Sequence, residues 1–433
     1  MFELEPVLKI QLDGHAPLTG TGYELQRLRC SACLAVFTAT PPETLRQGKY
    51  TARAKAVVSV LHYGTAMPFN RLGKLQTMLG VPLAPSTAWE LVEQVADCAH
   101  PVFSALIRLA AQGDIVYDDD TGVKILSLLK ENETLSDKER RGMQTTGMIS
   151  QAEHTIVLYF SGRQHAGGNL DDLLDLRPVE RDPIIKMSDA LNRNDPKRNS
   201  NTIKCHCNAH ALRQFVDIHE FFPEPCEVVL ELFSQLYEVE AHTRKEKYTD
   251  CERLAYHQEH SHPIMEELQT WIETQFEQRT IEPNSRLGSA CLYVQKHWDS
   301  LTRFLHVPGA PLDNNSVERA LKAFIQLRKA SLFFKNPHGA YVASLLSSLI
   351  ATCAQAKINP VDYFVALQKH RSYVCRTPDD WLPWNYQHTL DQLSHGPPVQ
   401  TQRSSLGIAI PQQNVQFPRG QMHGGGLGPG PPM

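Results

Sequence analysis

The stretch "PLDNNSVERALKAFIQLRKASLFF", Pro311 to Phe334, joins a polar helix start to an apolar stripe and a basic pair. Asn315 followed three residues later by Glu318 has the form of a capping box, in which the asparagine accepts from a first-turn N–H and the glutamate reaches back. Val317, Ala320, Leu321 and Phe324 recur at helical spacing and give the predicted helix a buried face. On this plain reading Glu318 tidies a helix end, and Arg328 with Lys329 is a solvated helix face. On the other, a carboxylate held on a first turn does chemistry, and the rest of the chain decides.

At 433 residues the chain exceeds what one core usually holds, since single cores seldom grow past about 250 to 300 residues. Hydrophobic residues make up 42% and charged residues 21%, the range of globular proteins, with a formal charge of only −4. Any nucleic-acid binding must therefore come from local basic patches. The start "MFELEPVLKIQLDG" is acidic with no long apolar core, and "YVASLLSSLIATCAQA" is too short and too serine-rich to span a bilayer. These features predict a cytoplasmic protein with no membrane partner. The ten cysteines are mostly scattered singly, which fits reduced thiols better than a disulfide framework.

Residues 1–45 read as short strands and turns around "LRCSACLAVFTATPPE". Cys30 and Cys33 make one C-x-x-C, half of a tetrahedral zinc site, with His15 the one obvious helper; the bland alternative is a small β turn. Residues 46–110 read as helical. Within them, 66–100 predicts a helix, a turn at Gly80 and a second helix led by Pro85 and capped by Ser86 or Thr87. Such a pair suits a helix-turn-helix, with Arg71 and Lys74 toward DNA, and equally any two packed helices.

"GDIVYDDDTGVKILSLL" alternates as a strand, which sets Asp119 on one face and Asp118 and Asp120 on the other. "GMQTTGMISQ" and "HTIVLYFSG" predict an antiparallel meander with it; a helix at "GGNLDDLLDLR" and a short strand "PIIKMSDA" ending at Asp189 follow. This order predicts an α/β fold over residues 111–395, interrupted by an all-helical insertion at about 216–308. The tail, 396–433, is rich in Gly, Pro and Gln and predicts disorder. Asp119 in a strand, Asp189 at a strand end and Glu318 on a helix are a set that could hold two Mg²⁺ ions about 3.5 to 4 Å apart for in-line attack on a phosphodiester.

The runs "YDDDTGVKIL", "SDA", "CNAHALRQF", "LDNNSVERALKAFIQLRKASLFF", "HGAYVASLLSSLIATCAQAKINPVDYF" and "LPWNY", in this order, resemble the successive signatures of the insertion-sequence 66 family of DDE transposases. The similarity runs from about residue 60 to 390. It implies an RNase H-like core with Asp119, Asp189 and Glu318 as the catalytic, metal-binding triad, served by Mg²⁺ or Mn²⁺. It also implies DNA contact by His210, Arg213, Arg328 and Lys329, a zinc-binding piece at the amino end and a helix-turn-helix region after it. His210 has its own plain alternatives: a satisfied structural histidine, or a metal ligand beside Cys205, His206 or Cys207. The implied activity is cleavage of element ends and strand transfer into target DNA. The implied partners are terminal inverted repeats, target DNA and further copies of the chain in a synaptic complex, with nucleoid association in a bacterial cell. A transposase-derived DNA-binding or regulatory protein that no longer cuts is the alternative. Three consecutive aspartates blur which one is the ligand, Gly122 stands where the family commonly has proline, and a second cysteine pair is missing upstream of Cys30, which points to a shortened start.

Overall fold

The computed structural model describes residues 16–42, 48–136 and 140–395. His15 and the tail 396–433 lie outside the described residues. The amino-terminal piece is a two-stranded antiparallel hairpin, β1 (Arg27–Arg29) and β2 (Val36–Thr38), with Cys30 and Cys33 in its turn.

Three helices follow: α1 (Ala52–Tyr63), α2 (Phe69–Met78) and α3 (Pro85–Ala110). Gly80 takes φ +77° in the turn between α2 and α3, a conformation that glycine adopts without steric cost. The helix start differs from the expected Ser86 or Thr87 cap: Pro85 is itself the first helical residue and Ala84 the cap, with no side-chain hydrogen bond. Proline fits there because its fixed φ is already helical and its missing N–H would have no partner. α3 is 26 residues long, and Leu91, Val92, Val95, Ala99, Val102 and Leu106 bury its face along most of that length.

The centre is a five-stranded mixed sheet in the order β5-β4-β3-β6-β7. β3 (Ile115–Gly122), β4 (Gln144–Gln151) and β5 (Thr155–Gly162) form the antiparallel meander that their alternation predicts, with α4 (Leu126–Glu131) in the connection from β3 to β4. After α5 (Ala166–Leu174), β6 (Ile184–Ser188) and β7 (Thr202–His206) run parallel to β3. β7 was not anticipated: "TIKCH" is short, lies at the sheet's edge and buries only Cys205, so it carries no alternating signal.

From α6 (Asn208–Val216) the chain is helical: α7 (Pro223–Glu246), α8 (Asp250–His260), α9 (His262–Glu277), α10 (Arg286–Lys296) and α11 (Trp298–Leu301). Residues 216–308 contain no strand. Buried Glu240 joins α7 to α8, with its Oε2 2.9 Å from both Arg253 Nη2 and His257 Nε2, while Arg253 also donates to the Ala310 carbonyl at 2.7 Å.

The remaining helices are α12 (Asn315–Ser331), α13 (Pro337–Gln355), α14 (Pro360–Lys369), α15 (Arg371–Arg376) and α16 (Tyr386–His395). The hydroxyls in "YVASLLSSLIATCAQA" have a use. Ser348 accepts from the Tyr159 N–H at 2.8 Å, and Thr352 accepts from the Val157 N–H and donates to its carbonyl, both at 3.1 Å. A helix thereby satisfies backbone groups that edge strand β5 would otherwise leave open. Among the described residues no helix is long and apolar enough to cross a membrane.

Candidate active site

The alternation of β3 divides its aspartates. Asp120 turns toward α5, where its carboxylate accepts from Thr146 Oγ1 at 2.6 Å and the Ala166 N–H at 3.1 Å and lies 3.0 Å from His165 Nδ1. Asp118, wholly buried, has Lys186 Nζ 3.6 Å away, but neither of its carboxylate oxygens has a hydrogen-bond partner. Burial pushes its pKa up to about 7 against the pull of Lys186. Asp119 points the other way, and its cross-strand neighbour is Gly147. A Cβ on Gly147 would lie 2.8 Å from Leu321, so the missing side chain lets α12 press close to the sheet one turn beyond Glu318.

β6 brings the second aspartate alongside. Tyr117 pairs with Met187 in parallel register, and two residues further on Asp119, midway along β3, feels the charge of Asp189, which stands just past the end of β6. Asp189 accepts from the Leu191 N–H at 3.4 Å and from the Asn194 side chain. Burial raises the Asp119 pKa to about 6, the negative charges of Asp189 and Glu318 add to the rise, and a hydrogen bond from the Asp120 N–H opposes it. Three carboxylates from two strands and a helix thus meet in one electrostatic neighbourhood.

The helix start is built differently from the expected capping box. Asn314 is the N-cap and makes no side-chain cap bond; Asp313 accepts from the Asn315 N–H at 3.0 Å instead. Glu318 is therefore the fourth helical residue, one past the position a capping-box glutamate occupies. It turns toward α6, with Oε1 3.7 Å from His210 Nδ1 and Oε2 3.8 Å from Arg213 Nη2. Asn314 is fully buried and donates through its side chain to the Asp118 carbonyl at 2.9 Å and through its N–H to Cys207 Sγ at 3.2 Å.

Cys207, His210 and Arg213 recur every three residues, the first as N-cap of α6 and the others on it. Donor atoms of Cys207, His210 and Glu318 all lie within 4.8 Å of one another, the one such group of three among the described residues. Of the other basic pair, Arg328 bonds Thr121 Oγ1 at 3.2 Å and the Gly122 carbonyl, which ties the far end of α12 to the end of β3, while Lys329 is exposed. Cys30 and Cys33 are free thiols, and the Cys30 pKa is lowered first by hydrogen bonds from the Cys33 and Ala32 backbone. Arg71 and Lys74 are exposed on α2.

Sequence reasoning missed Lys186. Its signal was a lysine inside the apolar run "PIIKMSDA"; it is 1% exposed and donates at 2.8 Å to the Oγ of Ser188, the residue before Asp189.

The family model described as Transposase IS66 family matches residues 47–342, more than half of the chain. The chain belongs to the IS66 family of transposases. It is also similar to two uncharacterized proteins of Sinorhizobium fredii. It is 24% identical to y4jD over 83% of this chain and 71% of that one, and 22% identical to y4hP over 84% and 67%. A third, y4qI, is 24% identical over 42% of this chain and 33% of its own length. The matched region of this IS66-family chain takes in β3, β6, α6 and α12, and so Asp119, Asp189, His210 and Glu318.

Proposed function

We propose that the chain is a Mg²⁺- or Mn²⁺-dependent DDE transposase with an RNase H-like core and a helical insertion, which cuts the ends of its element and joins them to target DNA. The observation that carries this is the meeting of Asp119 on β3, Asp189 just past the end of β6 and Glu318 on α12, where burial first, and then the charges of the other two, push the Asp119 pKa upward. The donor set fits hard divalent cations: it is all carboxylate, and Glu318 Oε1 is shielded from solvent yet has no hydrogen-bond partner. Bound there, such ions would supply charge stabilisation for the attacking and leaving oxygens.

The chain's own groups do the positioning. Asn314 fixes the start of α12 against β3, and Lys186 backs the end of β6. Arg213, whose side chain is more than half exposed, and His210 flank Glu318 where a DNA phosphate would approach. Arg328 and Lys329 extend the basic edge along α12, and exposed Arg71 and Lys74 add to the contact with terminal repeats. Copies of the chain assemble on paired element ends, in the cytoplasm and on the nucleoid.

The test is strand cleavage of labelled terminal-repeat duplexes by purified protein in Mg²⁺ or Mn²⁺, comparing the parent with Glu318→Gln. Glutamine keeps the size of the side chain and loses the charge. Retained repeat binding with cleavage down by several orders of magnitude is expected; cleavage near the parent rate in Glu318→Gln overturns the assignment.

A further inference from the structure

Glu318 stands between two donor sets of different chemistry. On one side are the carboxylates of Asp119 and Asp189; on the other are the thiol of Cys207 and the imidazole of His210. We propose that Cys207, His210 and Glu318 form a site for a thiophilic divalent cation such as zinc, whose binding withdraws Glu318 from Asp119 and Asp189 and holds the chain inactive. The inhibitory half rests on the function proposed above; the binding half stands alone.

The geometry supports the site in three ways. First, His210 Nδ1 and Glu318 Oε1 are both solvent-shielded and both without a hydrogen-bond partner, at a separation of 3.7 Å. That is too long for a hydrogen bond. It is close to the roughly 3.3 to 3.6 Å between neighbouring donors of a tetrahedral zinc with bonds of about 2.0 to 2.2 Å. Second, Cys207 Sγ lies within 4.8 Å of a ring nitrogen of His210 and of a carboxylate oxygen of Glu318, and it is fixed there: the Cys207 N–H donates to the Ser188 carbonyl at 3.1 Å, and the sulfur accepts from the Asn314 N–H. Third, the cysteine and the histidine stand one turn apart on a helix end, while Glu318 stands on a helix start stapled to β3, so all three donors sit on rigid elements.

Donor chemistry separates this site from the acidic one. Thiolate and imidazole favour zinc or cobalt, whereas magnesium prefers carboxylate oxygens and retains water. Three protein ligands leave a fourth position open, as in many zinc centres. The competing account makes His210 only a charge partner of Glu318 and Cys207 only core filling, and it predicts no thiolate-bound cation.

Cobalt(II) is the probe, because a cobalt–thiolate bond gives a charge-transfer absorption in the near ultraviolet. The full chain carrying Cys30→Ser and Cys33→Ser removes the other thiol pair. Titrated with Co²⁺, this protein is expected to show the band at one equivalent, to lose it to Zn²⁺ and to keep it in excess Mg²⁺. Adding Cys207→Ser abolishes the band, and adding His210→Ala instead weakens Co²⁺ affinity by at least about tenfold. Absence of the band, or its survival in a Cys207→Ser protein of parental circular dichroism, overturns the proposal. If Cys207→Ser does not fold, an unchanged Co²⁺ affinity in His210→Ala overturns it equally. In cleavage assays one equivalent of Zn²⁺ should suppress Mg²⁺-dependent nicking by the Cys30→Ser, Cys33→Ser protein; full nicking with zinc bound removes the inhibitory half. A chain that binds Co²⁺ through Cys207 yet never cuts DNA refutes the transposase reading and leaves the binding site standing.

Discussion

The Asn314 side chain donates to the main-chain carbonyl of Asp118 at 2.9 Å, which staples the helix that carries Glu318 to the strand that carries Asp119. The bond links residues 196 apart in sequence and is wholly buried. Each end is one step from the acidic group it positions: Asp118 precedes Asp119, and Asn314 precedes the turn that holds Glu318.

Replacing Asn314 by alanine leaves a buried carbonyl without its donor, a cost of about 1 to 3 kcal/mol. Urea denaturation should show that loss. Cleavage should fall much further than the unfolded fraction explains, because a shift of Glu318 by about 1 Å can cost on the order of a hundredfold. Activity that merely tracks stability would make Asn314 a packing residue and no more.

Gly147→Ala tests how closely α12 must approach the sheet. The added methyl would sit 2.8 Å from Leu321, so overpacking should destabilise the protein by about 1 to 3 kcal/mol. Leu321→Ala alone opens a cavity, but the double variant should recover part of the loss. A double-mutant cycle with zero coupling would show that the helix simply moves aside.

What could be read from sequence was periodic and local. Period two in "IVYDDDTG" put Asp119 on its own face, and the meander followed from three well-patterned strands. The helix "NSVERALKAFIQLRKAS" was legible from its stripe, but its start was not: Asn314 and Asn315 look alike in sequence, and the one that caps is chosen by contacts with Asp118 and Cys207, which are distant in the chain. Arg328 read as a free basic residue because nothing local announces its bonds to Thr121 and Gly122. Cys207 was one of three neighbours in sequence that could bind metal with His210, yet their meeting with Glu318 depends on how α6 and α12 pack.

Acid should loosen the helical segment through Glu240. Burial alone would raise its pKa, but the His257 hydrogen bond and the Arg253 and Arg244 guanidinium groups outweigh it and bring it from 4.5 down to about 2. A depressed carboxylate pKa means that the unfolded chain takes up the proton first. Its stabilising contribution is therefore full above about pH 4.5 and is lost as pH falls from there toward 2. Hydrogen exchange of α7 and α8 across that window should report the loss, and Glu240→Gln should flatten the dependence while lowering stability at neutral pH. A Glu240→Gln profile that keeps the parental slope would place the acid sensitivity elsewhere.

The three consecutive aspartates of β3 should give three different phenotypes, because alternation separates Asp119 from the other two, and Asp118 and Asp120 differ in partners: the Asp120 carboxylate is hydrogen-bonded and that of Asp118 is not. Asp119→Asn removes a carboxylate from the cluster with Asp189 and Glu318, so folding should hold while cleavage collapses. Asp120→Asn keeps the size but puts an amide where Thr146, the Ala166 N–H and His165 approach; the protein should lose about 1 to 3 kcal/mol of stability, with activity following the folded fraction. Asp118→Asn removes a buried charge whose oxygens have no hydrogen-bond partner, and Lys186 keeps Ser188 at 2.8 Å and Asp195 at 3.5 Å for company. Its cost should be the smallest of the three in both cleavage and unfolding, since burial outweighs the attraction of Lys186 at Asp118 and Lys186 retains Asp195 as a carboxylate partner. Measuring both properties for all three variants separates the roles. If Asp118→Asn rather than Asp119→Asn abolishes cleavage in a folded protein, the acidic centre lies on the opposite face of β3, and Glu318 is not part of it.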